Sequence, residues 1–280
     1  MARKNSDLMK IVADLHIHST MSDGKLTPLE IVTECIERGL SHFSVTDHDT
    51  IKQTPIIKDI LSQKQYDVKF VPGVEISSFF QNSSIHLLVY NIDENSEPIV
   101  KLLNNLQNER IKVIEDMGIK LNKLGYSIDY SKIIDTIPNP GRPHLADLLI
   151  RNGYFSTTKE VFDKLLGYDK PAYVSKNKPH LTEVVSKVRE SGGFSSLAHI
   201  GLYWDIDKIK DFDEIPLNGI EVYHPEHDFG ATQKLLEYAK YRNLVVTGGS
   251  DFHSYNVDKY GEIAEFGLNS LEIDAFVRHL

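Results

Sequence analysis

The chain has 280 residues, of which 41% are hydrophobic and 25% charged, so it is long enough to bury a sizeable core and ordinary enough for a globular protein. Its formal charge of -9 removes any bulk electrostatic reason to bind double-stranded DNA or an anionic membrane, and an anionic substrate would need local cations, either metals or placed Arg and Lys. The single cysteine, Cys35, excludes an internal disulfide, and its place in a helical pattern predicts burial rather than nucleophilic catalysis.

Met1 to Lys10 carries charge but no apolar stretch of signal-peptide length, and no later apolar run reaches membrane-spanning length, which predicts a cytoplasmic protein. Ile11 to His18 reads as a strand ending in His16 and His18, whose imidazoles leave the same face because side chains alternate. Asp23 follows in a Ser-Asp-Gly turn. Thr27 to Glu30 is a capping box with Pro28 at the first helical position, and Gly39 stops that helix. A second strand, His42 to Thr46, ends in Asp47-His48-Asp49. So many imidazoles and carboxylates at strand ends are costly to desolvate together unless a cation compensates them.

Lys52 to Gln65 predicts a short helix with Pro55 in its first turn. Val68 to Ser77 predicts a strand that Pro72-Gly73 breaks just before Glu75. Ser84 to Tyr90 is an apolar strand with His86 near its start, where a buried imidazole needs a partner. From Asp93 to Val174 the strand-helix alternation is interrupted by a helical insertion: a long amphipathic helix from Pro98 to Leu124, a Pro-rich turn, then helical patterns over His144 to Asn152 and Thr158 to Leu166. The domain reading is therefore 1–92 with 175–280 as one unit, and 93–174 as an insertion forming part of the substrate site.

Alternation resumes with a helix from Leu181 to Glu190, a strand from Phe194 to Ala198 ending on His199, and a helix near Asp205 to Asp211. A strand from Gly219 to Tyr223 ends at His224. Then come a helix from Thr232 to Tyr241 and a strand from Leu244 to Thr247 that opens into Gly248-Gly249-Ser250-Asp251-Phe252-His253. Seven strands with crossover helices suggest a closed or nearly closed α/β barrel. The tail after Tyr255 offers no signal. Collected in order, the strand-end residues are His16, His18, Asp23, His48, Glu75, His86, His199, Asp251 and His253, enough for two or three cations.

On the motifs Asp14-Leu15-His16-Ile17-His18-Ser19, Ser22-Asp23-Gly24, Thr46-Asp47-His48-Asp49, Gly73-Val74-Glu75-Ile76-Ser77, Leu197-Ala198-His199 and Gly249-Ser250-Asp251-Phe252-His253, the sequence resembles the polymerase and histidinol phosphatase (PHP) family. The resemblance implies a distorted (β/α)7 barrel. It places His16, His18, Glu75 and Asp251 around one metal, Glu75 bridging to a second held by His86 and His199, and Asp23, His48 and His253 around a third. The Ser-Asp-Gly turn, the Thr-Asp-His-Asp stretch and Gly141-Arg142-Pro143-His144 are similar to the branch that removes phosphate from nucleotides. That branch includes 3',5'-nucleotide bisphosphatases, some of which trim short RNA from the 5' end. Leu165-Leu166-Gly167 and Lys170 to Val174 add to the likeness. One departure is Ile200, where the branch often has Pro.

The resemblance implies a phosphomonoesterase using manganese, iron, zinc or magnesium, in which water shared by two cations loses a proton near neutral pH and attacks phosphorus in line. The expected substrate is a nucleotide, first of all the 3'-phosphate of a 3',5'-bisphosphate, with AMP and short RNA as further candidates. Arg142 is the candidate for gripping a second phosphate, because its planar fork matches phosphate oxygens. His144 and His224 are candidates for substrate contact or leaving-group protonation. Asp14, Asp47 and Asp49 are expected to accept the free N–H of ligand imidazoles. His42, His180, His227 and His279 have no supporting neighbours. Three readings compete: histidinol phosphate as substrate, an amidohydrolase cutting C–N bonds, and a module whose metal serves only stability or a partner surface.

Overall fold

A computed structural model describes residues 10–63, 66–255 and 260–280; the end of the helix expected to reach Gln65 and the charged segment before Lys10 lie outside them. The first unit is β1 (Ala13–Ile17), α1 (Pro28–Glu37) and β2 (His42–Val45). The Thr27 side chain accepts from the Glu30 N–H while the Glu30 carboxylate takes the Thr27 N–H, so the capping box forms as read. Gly39, at φ +72°, turns the chain into β2. Next come α2 (Gln53–Ser62) and β3 (Lys69–Phe70), and β1-β2-β3 make a parallel three-stranded sheet.

The second sheet has the order β4 (Gly73–Phe80), β5 (Ser83–Tyr90), β6 (Phe194–Leu197), β7 (Gly219–Tyr223), β8 (Val245–Gly248). β4 and β5 pair antiparallel through a two-residue turn in which Gln81 (φ +44°) and Asn82 (φ +69°) are both left-handed, the backbone of a tight hairpin. β5 and β6 are also antiparallel, and β6-β7-β8 parallel. The described residues thus hold eight strands in two sheets, not seven strands in one closed ladder. Two differences account for this. Val71-Pro72 splits the expected strand from Val68 to Ser77 into β3 and β4, and the hairpin reverses β5.

The sheets meet at two seams, where single parallel bridges pair His48 with Glu75 and Ile17 with Phe252. Backbone bonds reinforce both: Asp49 N–H to Glu75 O at 2.8 Å and His18 N–H to Phe252 O at 2.9 Å. Both seams carry residues of the expected site.

The helical segment comprises α3 (Glu97–Lys123), α4 (Ser131–Thr136), α5 (Arg142–Arg151), α6 (Thr158–Val161) and a π turn over Phe162–Leu166. At about 1.5 Å per residue α3 is roughly 40 Å long and serves two cores. Ile99, Leu102, Leu103 and Leu106 pack with the second sheet. Val113, Ile114, Met117 and Leu121 join a separate apolar cluster with Leu145, Leu149 and Leu166. The insertion therefore has its own core, yet grows out of the sheet layer without a linker at Asp93. α7 (Leu181–Glu190) covers the second sheet, two short 3-10 turns replace the helix expected near Asp205, and α8 (Phe229–Arg242) follows. The tail is not featureless: Asn269 caps α9 (Ser270–Val277), whose Phe276 is fully buried against Tyr90 and Phe194. No helix among the described residues is long and apolar enough to cross a membrane.

Candidate metal centre

The strand register brings the chemistry together. His16 and His18 leave one face of β1, fully buried, with their Nε2 atoms 3.1 Å apart. Two imidazole nitrogens at that distance cannot both present lone pairs without a proton or a cation between them. Glu75, on β4, faces both. Its Oε2 lies 3.2 Å from His18 Nε2, 3.5 Å from His16 Nε2 and 2.8 Å from His48 Nδ1, while its Oε1 lies 2.6 Å from His86 Nδ1 and 2.8 Å from His199 Nε2. One carboxylate thus touches five imidazoles, split between its two oxygens.

Asp251 closes the cluster from the loop after β8. Its Oδ1 is 3.3 Å from His16 Nε2 and 3.2 Å from His18 Nε2. The approach depends on Gly249, where a side chain would collide with the His16 backbone. Asp23 lies 3.3 Å from His253 Nε2 and 3.8 Å from His48 Nε2. Three groupings follow, each with donor atoms within 4.8 Å of one another: His16, His18, Glu75 and Asp251; His48, Glu75 and His86; and His18, Asp23, His48 and His253. His199 stands at the second through Glu75 Oε1. All nine residues singled out from the sequence are drawn into one cluster, with His18, His48 and Glu75 shared between groupings.

The donors fit divalent cations. Buried polar atoms without a hydrogen-bond partner concentrate here: His18 Nδ1, Asp23 Oδ1, His48 Nδ1, Glu75 Oε2, His86 Nδ1 and His199 Nδ1. His48 Nδ1 and Glu75 Oε2 are close but lack hydrogen-bond geometry, as expected of two atoms aimed at a common point. A mixed oxygen and nitrogen set without thiolate suits manganese, iron, zinc or magnesium.

The local field is steep. Burial works against ionised Glu75, but His48, His86 and His16 outweigh it and hold the carboxyl well below its usual range. Asp251 is held low in the same way by His16 and His253, and Asp23 by His48 and His253. For His18 burial opposes charge, yet Asp251 and Glu75 win and push it up to about 10. Burial dominates at His86 despite Glu75 and takes it down to about 3.

The supporting carboxylates differ from expectation. Asp14 accepts the backbone N–H groups of His16, Ser250 and Ala264; Asp47 accepts Ser19 N–H at 2.8 Å and both the Ser19 and Ser22 hydroxyls. These acids brace the loops rather than orient imidazoles. The orienting residue is one the sequence reading missed. Glu221, buried on β7, takes His16 Nδ1 at 2.9 Å with Oε1 and the His199 N–H at 2.7 Å with Oε2. It thereby fixes His16 with its proton on Nδ1 and Nε2 turned to the cluster. It also anchors His199, a non-glycine residue at φ +21°.

His224 is not placed to touch substrate. Its Nδ1 accepts the Glu226 N–H at 3.1 Å and its Nε2 faces Asp251 Oδ2 at 3.3 Å, so both ring nitrogens are engaged and the side chain is buried behind Asp251. The Nδ1 of His144 accepts the Gly141 N–H at 2.9 Å, capping α5 and leaving only Nε2 for any substrate. Arg142 does line the cavity above the cluster. Its guanidinium lies over the rings of Phe162 (5.4 Å) and Tyr173 (5.8 Å) and donates to Leu166 O at 3.2 Å. His227 bonds Val222 O and the Gly201 N–H, a structural role.

The cavity measures about 540 Å³. It is lined by the cluster residues Glu75, His48, His86, His199, Asp251 and His253 and by the cationic side chains of Arg110, Arg142, Lys176 and Lys178. Asp49, at φ +52°, ties the two together: its carboxylate accepts Ser77 N–H at 2.8 Å, Arg110 at 2.6 Å and Lys176 at 2.5 Å. Burial lowers Lys176 to about 7 against the pull of Asp49, and Lys178 to about 8. Neither lysine carried a motif in the sequence.

Residues 14–260 match the PHP domain. The chain belongs to the PHP domain family. It is 29% identical over 250 residues to a 3',5'-nucleoside bisphosphate phosphatase of Chromobacterium violaceum, covering 86% of this chain and 87% of that one. It is 30% identical over 247 residues to a 5'-3' exoribonuclease of Haemophilus influenzae, covering 86% and 89%. A solved structure of a metal-dependent phosphoesterase from Bifidobacterium adolescentis superposes with a TM-score of 0.86 at 24% identity, over 95% of this chain and 96% of that one, and so shares its fold. This PHP chain is an enzyme, a metal-dependent phosphoesterase.

Proposed function

We propose that the enzyme hydrolyses a phosphomonoester of a nucleotide, first of all the 3'-phosphate of a 3',5'-nucleoside bisphosphate, and that AMP and the 5' end of short RNA are weaker substrates of the same site. The observation that carries this reading is the mixed lining of the cavity. A dense carboxylate and imidazole cluster and four cationic side chains line the same cavity within a chain of formal charge -9. One phosphate at the cluster and a second at the cationic side would use both walls. The names of the Chromobacterium and Haemophilus relatives favour nucleotide over histidinol phosphate and over amide substrates.

In this reading two or three divalent cations are held by the three groupings, with Glu75 shared and His199 beside it. When bound they would supply Lewis acidity toward phosphoryl oxygens and an activated water. The protein's own residues do the rest. Glu221 keeps His16 in the ligating tautomer, and His224 holds Asp251 from behind. Arg142, Lys176 and Lys178 grip the non-reacting phosphate, and segment 93–174 forms the second wall. The two sheets are read as arcs of one distorted (β/α)7-type barrel, joined at the seams that carry His48, Glu75 and His18.

The test is phosphate release from adenosine 3',5'-bisphosphate, AMP, histidinol phosphate and an amide panel, with manganese returned to chelated protein. The bisphosphate should be turned over with the highest kcat/KM, and only after metal is restored. Preferred turnover of histidinol phosphate or of an amide would overturn the assignment.

A further inference from the structure

The cavity lining carries aromatic side chains as well as cations, and these divide by what already covers them. Tyr203 is packed edge-on against His86 and His199, and Tyr260 is stacked 4.1 Å from His253, so both belong to the cluster. Phe162 is under the Arg142 guanidinium. Tyr168 differs: it lines the cavity yet is 76% exposed, and it meets Tyr173 edge-on at 5.5 Å and 61°.

The backbone is built to present it. The π turn over Phe162–Leu166 ends when the Gly167 N–H bonds Phe162 O at 2.8 Å; a side chain at Gly167 would run into that same carbonyl. Asp169 then takes a left-handed conformation at φ +57°, and the Lys170 and Tyr173 N–H groups close successive turns on Gly167 O and Lys170 O. Ala172 bonds back to Leu165 O and is fully buried, pinning the loop to the insertion core. A single exposed tyrosine needs no explanation in itself. An exposed ring on a braced loop, lining a cavity and meeting Tyr173, whose own ring lies 5.8 Å from the Arg142 guanidinium, is an arrangement that can take up an unstacked base.

We propose that Tyr168, supported edge-on by Tyr173, is the stacking platform for the base of the substrate, so that the sheets bind the reacting phosphate while the insertion selects for a nucleobase. This deepens the nucleotide reading and rests on it. The other sugar phosphates that a cation cluster can accept have no planar face to offer.

The experiment compares kcat/KM for adenosine 3',5'-bisphosphate with that for the same ribose bisphosphate lacking the base, in manganese-loaded wild type, Tyr168→Ala and Tyr168→Phe. Stacking on one ring is worth roughly tenfold, so Tyr168→Ala should lower the nucleotide-to-abasic ratio by about that factor, through KM, while Tyr168→Phe keeps it. An unchanged ratio in Tyr168→Ala, including an equal loss on both substrates, overturns the platform and leaves the nucleotide reading standing. A wild type that turns over the abasic compound but not the nucleotide overturns that reading itself, and the platform with it.

Discussion

The two walls of the cavity are built on opposite principles. On the sheet side, His16, His18 and Glu75 are fully buried, and each is held by a strand, a seam or a carboxylate behind it. On the insertion side, Arg142 and Tyr168 sit at a helix start and on a loop over a separate apolar core, with Lys176 just beyond the insertion, and Tyr168 is 76% exposed to solvent. The sheet wall can fix donor atoms to within the tolerance a cation needs, because rotamers there are set by packing and by a second layer of hydrogen bonds. The insertion wall needs only to recognise charge and shape. The difference teaches that one wall sets what the enzyme does and the other what it does it to, and that substitutions in the two should fail in different ways.

The sharpest break of that contrast is at Asp251. Replacing it by Asn keeps the volume and tolerates the left-handed backbone at φ +50°, but removes a charge that faces His16, His18 and His253. Turnover should fall by about a hundred- to a thousandfold, the scale seen when a charge-stabilising group is lost from an active site. The folded state should survive, checked by an unshifted circular dichroism spectrum. Wild-type rates from Asp251→Asn would remove the cluster from the mechanism.

Next in size is Glu221→Gln. An amide can accept from His16 Nδ1–H or from the His199 N–H, but it turns its NH2 toward the other donor. Metal affinity should drop about 10- to 100-fold, as for other residues that orient metal-bound histidines. Metal retained per chain against a chelator series measures this directly, apart from any activity. If retention matches wild type, Glu221 is merely a buried strand residue and does not brace the sheet wall.

These two residues also show what can be read in a sequence. Asp251 was legible because it ends a strand beside His253, and strand ends are where alternation and topology deliver side chains to a site. Glu221 was not, because Gly219 to Tyr223 reads as an apolar strand with one stray acid, and only the fold shows that its partner is 205 residues away. The hairpin between β4 and β5 escaped because Gln81-Asn82 lacks the glycine that usually marks such a turn. By contrast, the Asn269 to Glu272 capping box before α9 is a signal that the sequence itself carries. His224 follows the end of β7 and His144 lies in the first turn of α5, as the sequence suggests, but sequence cannot tell whether an imidazole faces a cavity or spends its nitrogens on a neighbouring carboxylate or a backbone N–H.

The smallest expected effect tests, through pH, the two cavity lysines that follow the insertion. An ordinary lysine stays cationic to about pH 10.4. Burial brings Lys178 down to about 8 and Lys176 to about 7. Each therefore holds an anion below those values and loses that grip as pH rises through them, whereas phosphate monoesters, with a second pKa near about 6, are already fully charged. KM for a bisphosphorylated nucleotide should rise a few-fold, about threefold, between roughly pH 7 and 9, the scale of one partly solvated ion pair. Lys178→Met should start with a higher KM and show a flatter profile over the same range. AMP, with no second phosphate to hold, should show little of this dependence in either protein. A KM that is flat in wild type, or that rises equally for AMP, would mean that the lysines face each other and Asp49 rather than the substrate, and would leave Arg142 as the insertion's contact with phosphate.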